Sequence, residues 1–474
     1  MIIVSTRQAV AGMVLAAPVQ QPGNPGHYLV KPGVRLDEPT LARLRELKVG
    51  SLFVEFEPLE DLDRHVALMS APARESMHTA VRGTYEGFLA NKEYEPPFGE
   101  MYACSRALIP LIGSQGPRPV LFDSGGRSDA DLPGHAAAVA HLSLMLGMKL
   151  ERYLIQQRSR LPAHHAKEVV NLGVAAMLHD IGKTRIAPAL HRFNATRLPA
   201  DSAPREQWQS HTRVGYEMVK GGVEASAACA ILHHHQQYDG GGFPRLTLGG
   251  KRVIWAGKKL HVFARILALA NAFDRLTVRT DPTRVLSNLQ ALHLLRHKFT
   301  GKFDGVILKA LHQVCPPFPP GSIVTLDDGT AAVVVHVDDD HVYRPVVRRL
   351  APPAKGQVLP QLVGDAVDLR IDPSRRVIFA DELPTDGLLC TSAEIDAIAL
   401  RAEDADEHED TVLKGAEAER AYSRQSKPIR RPNPIAPNAP RAGGRIGGAA
   451  RGVEELPEPD LDDLSPPITG TAAA

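Results

Sequence analysis

Histidine and aspartate residues between positions 135 and 235 have the types and spacing of a metal site. The segment holds ten of the chain's 20 histidines. The candidate ligands are His135, the adjacent pair His179-Asp180, His211, and the adjacent pair His234-His235. Neutral imidazole is the commonest metal ligand, and a carboxylate can bridge two cations. Two divalent cations can activate a bridging hydroxide and clamp a phosphoryl group, so the set predicts hydrolysis of a phosphate ester.

Lys183 and the remaining histidines need separate interpretations. Lys183 lies about one helical turn beyond His179, where its charge could neutralise a phosphate. A lone histidine on an apolar helix is more often a core residue than a metal ligand. The adjacent pairs and the order of the six candidates favour the metal interpretation for them. We expect packing or surface positions for His141, His164, His165, His191 and His261.

Helices must hold these residues together, because the sequence from about 132 to 314 is mainly helical. Apolar residues recur on one face of AAAVAHLSLMLGMKLERYLIQQ, KEVVNLGVAAMLHDIGK and HVFARILALANAFDRLTV. Helices of a bundle can point polar groups at a shared core site. The predicted fold class is mainly α, a helical bundle with three additions. These are a small N-terminal α+β unit, a C-terminal β-hairpin extension and a disordered tail.

The chain divides into six segments by composition and periodicity. Residues 1–66 predict the small α+β unit, and 67–130 predict a helical connector and a loop. The candidate ligands fall in 131–315. Residues 316–381 are rich in β-branched residues with a DDG turn, which predicts a β-rich extension. An acidic helical segment at 382–425 and a disordered Pro/Gly/Ala-rich tail at 426–474 complete the chain.

Composition excludes several classes of protein. The 55 basic and 54 acidic residues leave a net charge of +1, so no nucleic-acid polymer is indicated as a partner. Four scattered cysteines without a CxxC pair argue against a disulfide framework or a zinc ribbon. No stretch approaches the roughly 18 apolar residues of a membrane helix. The first residues lack the pattern of a signal peptide, so we expect a cytoplasmic protein without membrane contact.

Several motifs resemble those of the HD-GYP subfamily of HD-domain metal phosphohydrolases. LHDIGK at 178–183 resembles the HD signature, and HHHQQYDGGGFP at 233–244 resembles the second signature, usually HHExxDGxGYP. HTRVGYEM, from position 211, matches the H-x-x-x-G segment of the family. ARILALANAFDRLTVR at 264–279 matches its ARIxxxADxFDALTxR helix, and FDGVILKAL resembles its closing helix. The resemblance covers roughly residues 130–315, and the combination is highly specific.

The resemblance implies a cyclic di-GMP phosphodiesterase that forms linear pGpG, GMP or both. It implies two or three divalent metal ions, iron or manganese, held by the six candidate ligands with Asp180 as the bridge. Asp180 and Lys183 are the implied catalytic residues. The implied substrate-binding residues are Arg265, Arg279, Asp239, Gly240 and Phe243.

The expected partners are cyclic di-GMP and GGDEF-type signalling proteins. A homodimer through the helical connector is compatible with the sequence, although no clear heptad repeat supports it.

Four positions depart from the family pattern. The metal-binding aspartate of ADxFD is Asn271, a neutral and weaker ligand. The Glu of HHE is Gln236, the tyrosine of GYP is Phe243, and DALT is DRLT with the extra positive charge of Arg275. These departures favour an alternative, a weak or inactive HD-GYP protein that binds cyclic di-GMP or partner proteins. A third hypothesis, hydrolysis of other nucleotides, rests on LHDIGK alone.

Asp131 and His233 complete the interpretation of the motifs. Some family members have a metal-binding Glu at the position of Asp131, four residues before His135. Because Pro133 is typical of the first turn of a helix, we predict that Asp131 is an N-cap. Counting back from Asp239 makes His233 the spare member of the triple histidine.

Overall fold

The computed structural model describes residues 1–21, 24–47, 49–59, 71–114, 131–191, 199, 202–248, 251–278 and 285–404. Arg279, the expected acidic segment beyond Asp404 and the expected tail at 426–474 lie outside the described residues. Within the described ranges, no helix combines the length and the apolar character that a membrane crossing requires.

The N-terminal segment forms a small α+β unit. Its strands form two antiparallel pairs, β1 (Ile2–Ser5) with β4 (Ser51–Val54) and β2 (Val19–Gln21) with β3 (Asn24–Val30). Helix α1 (Glu38–Glu46) begins where the Asp37 side chain accepts a hydrogen bond from the backbone of Thr40. Leu41 and Leu44 of this helix are buried in the core of the unit.

The central part of the chain is a helical bundle, which confirms the mainly α fold class. Its helices are α2 (Ala71–Ala90), α3 (Phe98–Ser114), α4 (Leu132–Lys149), α5 (Glu151–Gln157), α6 (Ala163–Ala166), α7 (Val170–Leu178), α8 (Ala203–Gln209), α9 (His211–Val219), α10 (Ala225–His233), α11 (Val262–Thr277), α12 (Asn288–His297) and α13 (Gly305–Val314). The connections include the hairpin of β5 (Leu246–Leu248) with β6 (Lys251–Val253), and 3-10 helices at Ile181–Arg185, Pro188–Leu190 and Gly257–Lys259.

Helices α4, α7 and α11 form the centre of the bundle. Every residue of α7 from Leu172 to Leu178 is buried, and α4 and α11 pack against α7 and each other. A helix that is apolar on all sides belongs in the interior. Polar groups carried by these helices, such as His135, Asn271 and Asp274, are therefore buried as well.

Helix α4 begins at the predicted cap. The side chain of Asp131 accepts a hydrogen bond from the backbone of Gly134 at 3.2 Å, and Pro133 stands in the first turn. The N-cap interpretation of Asp131 is confirmed. The cap fixes where α4 starts, and so it places His135 in the first turn of the helix.

The C-terminal extension is a six-stranded antiparallel sheet, larger than one hairpin. Its strands are β7 (Ile323–Leu326), β8 (Ala331–His336), β9 (Val346–Ala351), β10 (Gln361–Asp368), β11 (Val377–Ala380) and β12 (Leu383–Pro384), in the order β10-β9-β8-β7-β11-β12. The sheet continues beyond the expected boundary at 381. The last described element, α14 (Ser392–Asp404), packs against α13.

The N-terminal unit and the C-terminal sheet share a core. Val333 and Leu350 of the sheet are buried together with Ile2 and Val4 of β1. The backbone of Ile3 also donates a hydrogen bond to the carbonyl of Gly321 at 2.8 Å. The N-terminal unit and the C-terminal sheet, distant in sequence, therefore pack around one common core.

Candidate metal centre

Helix ends bring most of the candidate ligands together. His179 is the C-cap of α7, and Asp180 begins the following 3-10 helix. His211 is the first residue of α9, and His234 is the C-cap of α10. His135 comes from the first turn of α4. All five side chains are buried, in a region where helix ends present unpaired backbone groups.

Gly182 allows two of these elements to approach each other. A Cβ on Gly182 would lie 1.9 Å from the backbone oxygen of His211 and 2.6 Å from the backbone nitrogen of Gly215. No side chain fits at this contact. Sequence reasoning gave Gly182 no role, and the structure indicates that it sets the distance between Asp180 and His211.

Three histidines are held in one tautomer by backbone carbonyl groups. Their Nδ1 atoms lie 2.6–2.8 Å from the carbonyl oxygen three residues earlier, namely His179 on Ala176, His211 on Trp208 and His234 on Ile231. A carbonyl oxygen only accepts hydrogen bonds, so each Nδ1 must carry the hydrogen. Each Nε2 therefore has a lone pair free for another partner, the arrangement that orients a metal-ligating histidine.

The two carboxylate oxygens of Asp180 face different sets of nitrogens. Oδ1 lies 3.4 Å from Nε2 of His211 and 3.7 Å from Nε2 of His234. Oδ2 lies 3.5 Å from Nε2 of His179 and 3.7 Å from Nε2 of His135. Asp180 thus belongs to two groups of potential ligands, the first of which also includes His235.

The donor atoms fit a divalent cation. Oδ1 of Asp180 and Nε2 of both His179 and His235 are buried without a hydrogen-bond partner among the described residues. Nε2 of His211 lies only 3.3 Å from Nε2 of His234, although both atoms carry lone pairs. Unpaired buried polar atoms are costly, and cation binding at such atoms would remove that cost.

The protonation states also suit metal binding. Burial lowers the pKa values of His179, His211 and His235 well below the ordinary value, so these rings are neutral near pH 7. Burial alone would raise the pKa of Asp180, but Lys183 and neighbouring groups hold it well below its usual value. Neutral imidazoles around an ionised carboxylate are the donors that a divalent cation requires.

Lys183 contacts the carboxylate of Asp180. Its buried ammonium group donates a hydrogen bond to Oδ2 of Asp180 at 2.6 Å. Burial and the nearby Arg275 lower the pKa of Lys183 to about 8, although Asp180 opposes the shift. The structure therefore places the second predicted catalytic residue beside the first.

The centre has two sides of different composition. We call Oδ1 of Asp180 with His211, His234 and His235 the histidine side. The arginine side consists of Oδ2 of Asp180 with His135, His179, Asn271 and Arg275.

On the arginine side, the polar side chains contact one another at hydrogen-bond distance. Nε2 of His135 lies 3.0 Å from Oδ1 of Asn271, and its Nδ1 lies 2.7 Å from Oδ2 of Asp274. Arg275 donates from Nε to Oδ1 of Asn271 at 3.2 Å and from a terminal nitrogen to Oδ2 of Asp180 at 3.0 Å. Arg275 therefore connects the amide of Asn271 to the shared carboxylate.

Comparison with known proteins identifies the domain that carries this centre. Residues 140–307 match the family model described as HD domain. Cyclic di-GMP phosphodiesterase PA4108 of Pseudomonas aeruginosa is 24% identical over 313 residues, or 65% of this chain and 67% of that protein. The cyclic di-GMP phosphodiesterase response regulator RpfG of Xanthomonas campestris is 32% identical over 114 residues. Residues 140–307 of this chain are therefore similar to HD domains.

The matched proteins differ in how much of this chain they cover. The match to RpfG covers 23% of this chain and 27% of that protein. Among solved structures, Bd1817, an HDG"Y"P protein from Bdellovibrio bacteriovorus, aligns with a TM-score of 0.34 and 14% identity over 66% of this chain and 98% of that one. The matched HD domain begins after His135 and includes the other predicted ligands.

The segment that resembles the second HD-GYP signature forms a turn over the histidine side. Phe243 is buried, and its ring stacks on His235 with centroids 4.5 Å apart and planes 18° apart. Gln236 donates a hydrogen bond to the carbonyl of Pro244 at 2.6 Å, which closes the turn. Asp239 is exposed and accepts from the backbone of Gly241, while Gly240 has a φ of 89°. Phe243 thus orients a predicted ligand, and the turn at Asp239 faces solvent.

Arg265 has partners outside the candidate metal centre. Its guanidinium donates to the carboxylate of Asp304, to the hydroxyl of Tyr153 and to the side chain of Gln157. Asp304 is the N-cap of α13, so Arg265 joins α11 to the start of that helix. The structure does not bring Arg265 to the predicted ligands, and Arg279 lies outside the described residues.

Two aromatic residues near the centre were missed by sequence reasoning. Trp208 supplies the carbonyl that orients His211, and its ring contacts both His235 and Phe243. Tyr85 of α2 is buried, and burial followed by the charge of Asp180 raises the pKa of its phenol well above the usual value. The spacing of Trp208 from His211 was a local signal, but nothing local connects Tyr85 to residues almost 100 positions later.

His233 is the spare histidine, as predicted. It lies outside both groups of potential ligands, and its ring packs on Trp255 with centroids 5.3 Å apart.

Proposed function

We propose that this chain is a metal-dependent phosphodiesterase that hydrolyses cyclic di-GMP to linear pGpG, GMP or both. The observation that carries the proposal is the position of Asp180, whose two oxygens face two sets of histidine nitrogens. The names of the two relatives indicate the substrate. We assign the six predicted ligands to metal binding, and Asp180 and Lys183 to catalysis.

Residues of the candidate centre have distinct roles in the proposed reaction. Asp180 and the histidines around it would hold iron or manganese. A divalent metal lowers the pKa of water and polarises phosphoryl oxygens. The ammonium of Lys183, fixed on Oδ2 of Asp180, stabilises negative charge that develops on the phosphoryl group. Phe243 keeps the ring of His235 in place, and the turn at Asp239 and Gly240 borders the substrate.

A product assay tests this proposal. The purified chain is incubated with cyclic di-GMP and either manganese or iron, and the nucleotides are separated by chromatography. We expect linear pGpG, GMP or both with metal, and neither product after treatment with a chelator. Absence of both products under all metal conditions would contradict the enzymatic proposal.

A second function, binding of cyclic di-GMP without turnover, is favoured by one contact. The terminal nitrogen of Arg275 lies 3.0 Å from Oδ2 of Asp180 and competes with a metal ion for that oxygen. Titration calorimetry with cyclic di-GMP separates the two functions. Binding without any product supports the second function, whereas product formation excludes it.

A further inference from the structure

The arginine side of the centre departs from the family pattern at two positions. The family pattern has Asp at the position of Asn271 and Ala at the position of Arg275, which are one turn apart on α11. The first change removes one negative charge and the second adds one positive charge. Together they make this side more positive by two units, the charge of one divalent cation.

The guanidinium of Arg275 lies between two groups that a metal ion would need. Its Nε donates to Oδ1 of Asn271 at 3.2 Å, and its terminal nitrogen donates to Oδ2 of Asp180 at 3.0 Å. Lys183 donates to the same carboxylate oxygen at 2.6 Å. Both oxygens of this side that could bind a cation are therefore already engaged by cationic side chains.

His135 is close to the same amide. Its Nε2 lies 3.0 Å from Oδ1 of Asn271, the oxygen that accepts from Arg275, and its Nδ1 lies 2.7 Å from Oδ2 of Asp274. His135 and His179 therefore offer ring nitrogens on this side, but the two oxygens that would complete a cation site are held by cationic side chains. An oxygen that already accepts charge-assisted hydrogen bonds is a poor ligand for a further cation.

We propose that Arg275 takes the place of one metal ion and that the chain binds a single divalent cation. That cation is held on the histidine side by Asp180, His211, His234 and His235, whose potential ligand atoms lie within 4.8 Å of one another. The guanidinium replaces the second cation and holds the carboxylate of Asp180 in its orientation. This inference rests on the metal-binding part of the proposed function and specifies how many ions that function uses.

The test counts bound manganese ions. Full-length protein is stripped with a chelator, saturated with Mn²⁺ and freed of excess metal. Manganese per chain is then measured by mass spectrometry, and the electron paramagnetic resonance spectrum is recorded. We expect one ion per chain and the six-line spectrum of an isolated Mn²⁺. In the double variant Asn271→Asp/Arg275→Ala, we expect two ions per chain and the spectrum of a spin-coupled pair.

Two further variants are controls for charge and for folding. Arg275→Lys keeps the positive charge, so the count should remain one. Arg43→Ala removes an exposed arginine of the N-terminal unit and should also leave the count at one. Circular dichroism verifies that each variant is folded.

Each contrary result has a separate meaning. Two coupled ions in the unchanged chain would overturn this inference and leave the phosphodiesterase proposal standing. One ion in the folded double variant would show that Arg275 and Asn271 do not decide the count, and would overturn it as well. No ion in either protein would overturn both this inference and the metal-dependent function.

Discussion

The two sides of the candidate metal centre differ in what faces the shared carboxylate of Asp180. On the histidine side, His211 and His234 are anchored by backbone carbonyls, and their Nε2 atoms face Oδ1 of Asp180. On the arginine side, His179 is anchored in the same way, but Arg275 donates a hydrogen bond to Oδ2 at 3.0 Å. The same bundle therefore presents one carboxylate oxygen to histidine nitrogens and the other to a guanidinium.

The largest effect is expected at the residue that both sides share. Asp180→Asn removes the only charged oxygen ligand of the histidine side, so metal binding and hydrolysis of cyclic di-GMP should both be lost. The expected loss of metal affinity exceeds about 100-fold, because even residues that only orient a ligand commonly contribute 10–100-fold. Manganese titration and the product assay measure the two losses. Asp396→Asn, at an exposed pair with Lys309, is the control and should change neither quantity.

A matched pair of histidine variants compares the two sides directly. His211→Ala should lower manganese affinity by more than about 100-fold, since it removes a free donor. His135→Ala should leave the affinity nearly unchanged, since His135 is not in the group of potential ligands on the histidine side. Equal losses in the two variants would remove the distinction between the sides.

Arg265, the second arginine of α11 besides Arg275, provides a comparison between stability and metal binding. Arg265→Met leaves the buried carboxylate of Asp304 without its partner, so the free energy of unfolding should fall by about 3–5 kcal/mol. The count of bound manganese should not change, because Arg265 contacts none of the predicted ligands in the described structure. Urea denaturation and metal analysis give the two readouts. A change in metal count with unchanged stability would instead place Arg265 in the binding site.

The smallest effect is expected at the start of α4. Asp131→Ala removes an N-cap hydrogen bond and should lower the free energy of unfolding by about 1 kcal/mol. Manganese affinity should remain within about twofold, because α4 contributes only His135 to the centre. A large loss of affinity would support the alternative interpretation of Asp131 as a metal ligand.

Local patterns predicted much of the fold and of the candidate centre. The apolar periodicity of α4, α7 and α11 indicated buried helices, and the Asp131-Pro133 spacing indicated a helix start. The spacing of the histidines selected residues that the structure brings together. Such features depend on neighbours within a few positions, so the sequence alone can show them.

Contacts between distant segments could not be predicted in the same way. The contact of Arg275 with Asp180 joins residues 95 positions apart, and no periodicity reports it. The same holds for the pairing of Arg265 with Asp304, residues 39 positions apart. The order of the six C-terminal strands likewise depends on pairings across loops, whereas the sequence displayed only one hairpin signal.

Anomalous X-ray diffraction from crystals soaked in Mn²⁺ tests directly whether a single cation binds on the histidine side. We expect one anomalous peak at bonding distance from Asp180, His211, His234 and His235, with Arg275 still hydrogen-bonded to Asp180. A second peak of similar height between His135, His179 and Asn271, or no peak near Asp180, would contradict it.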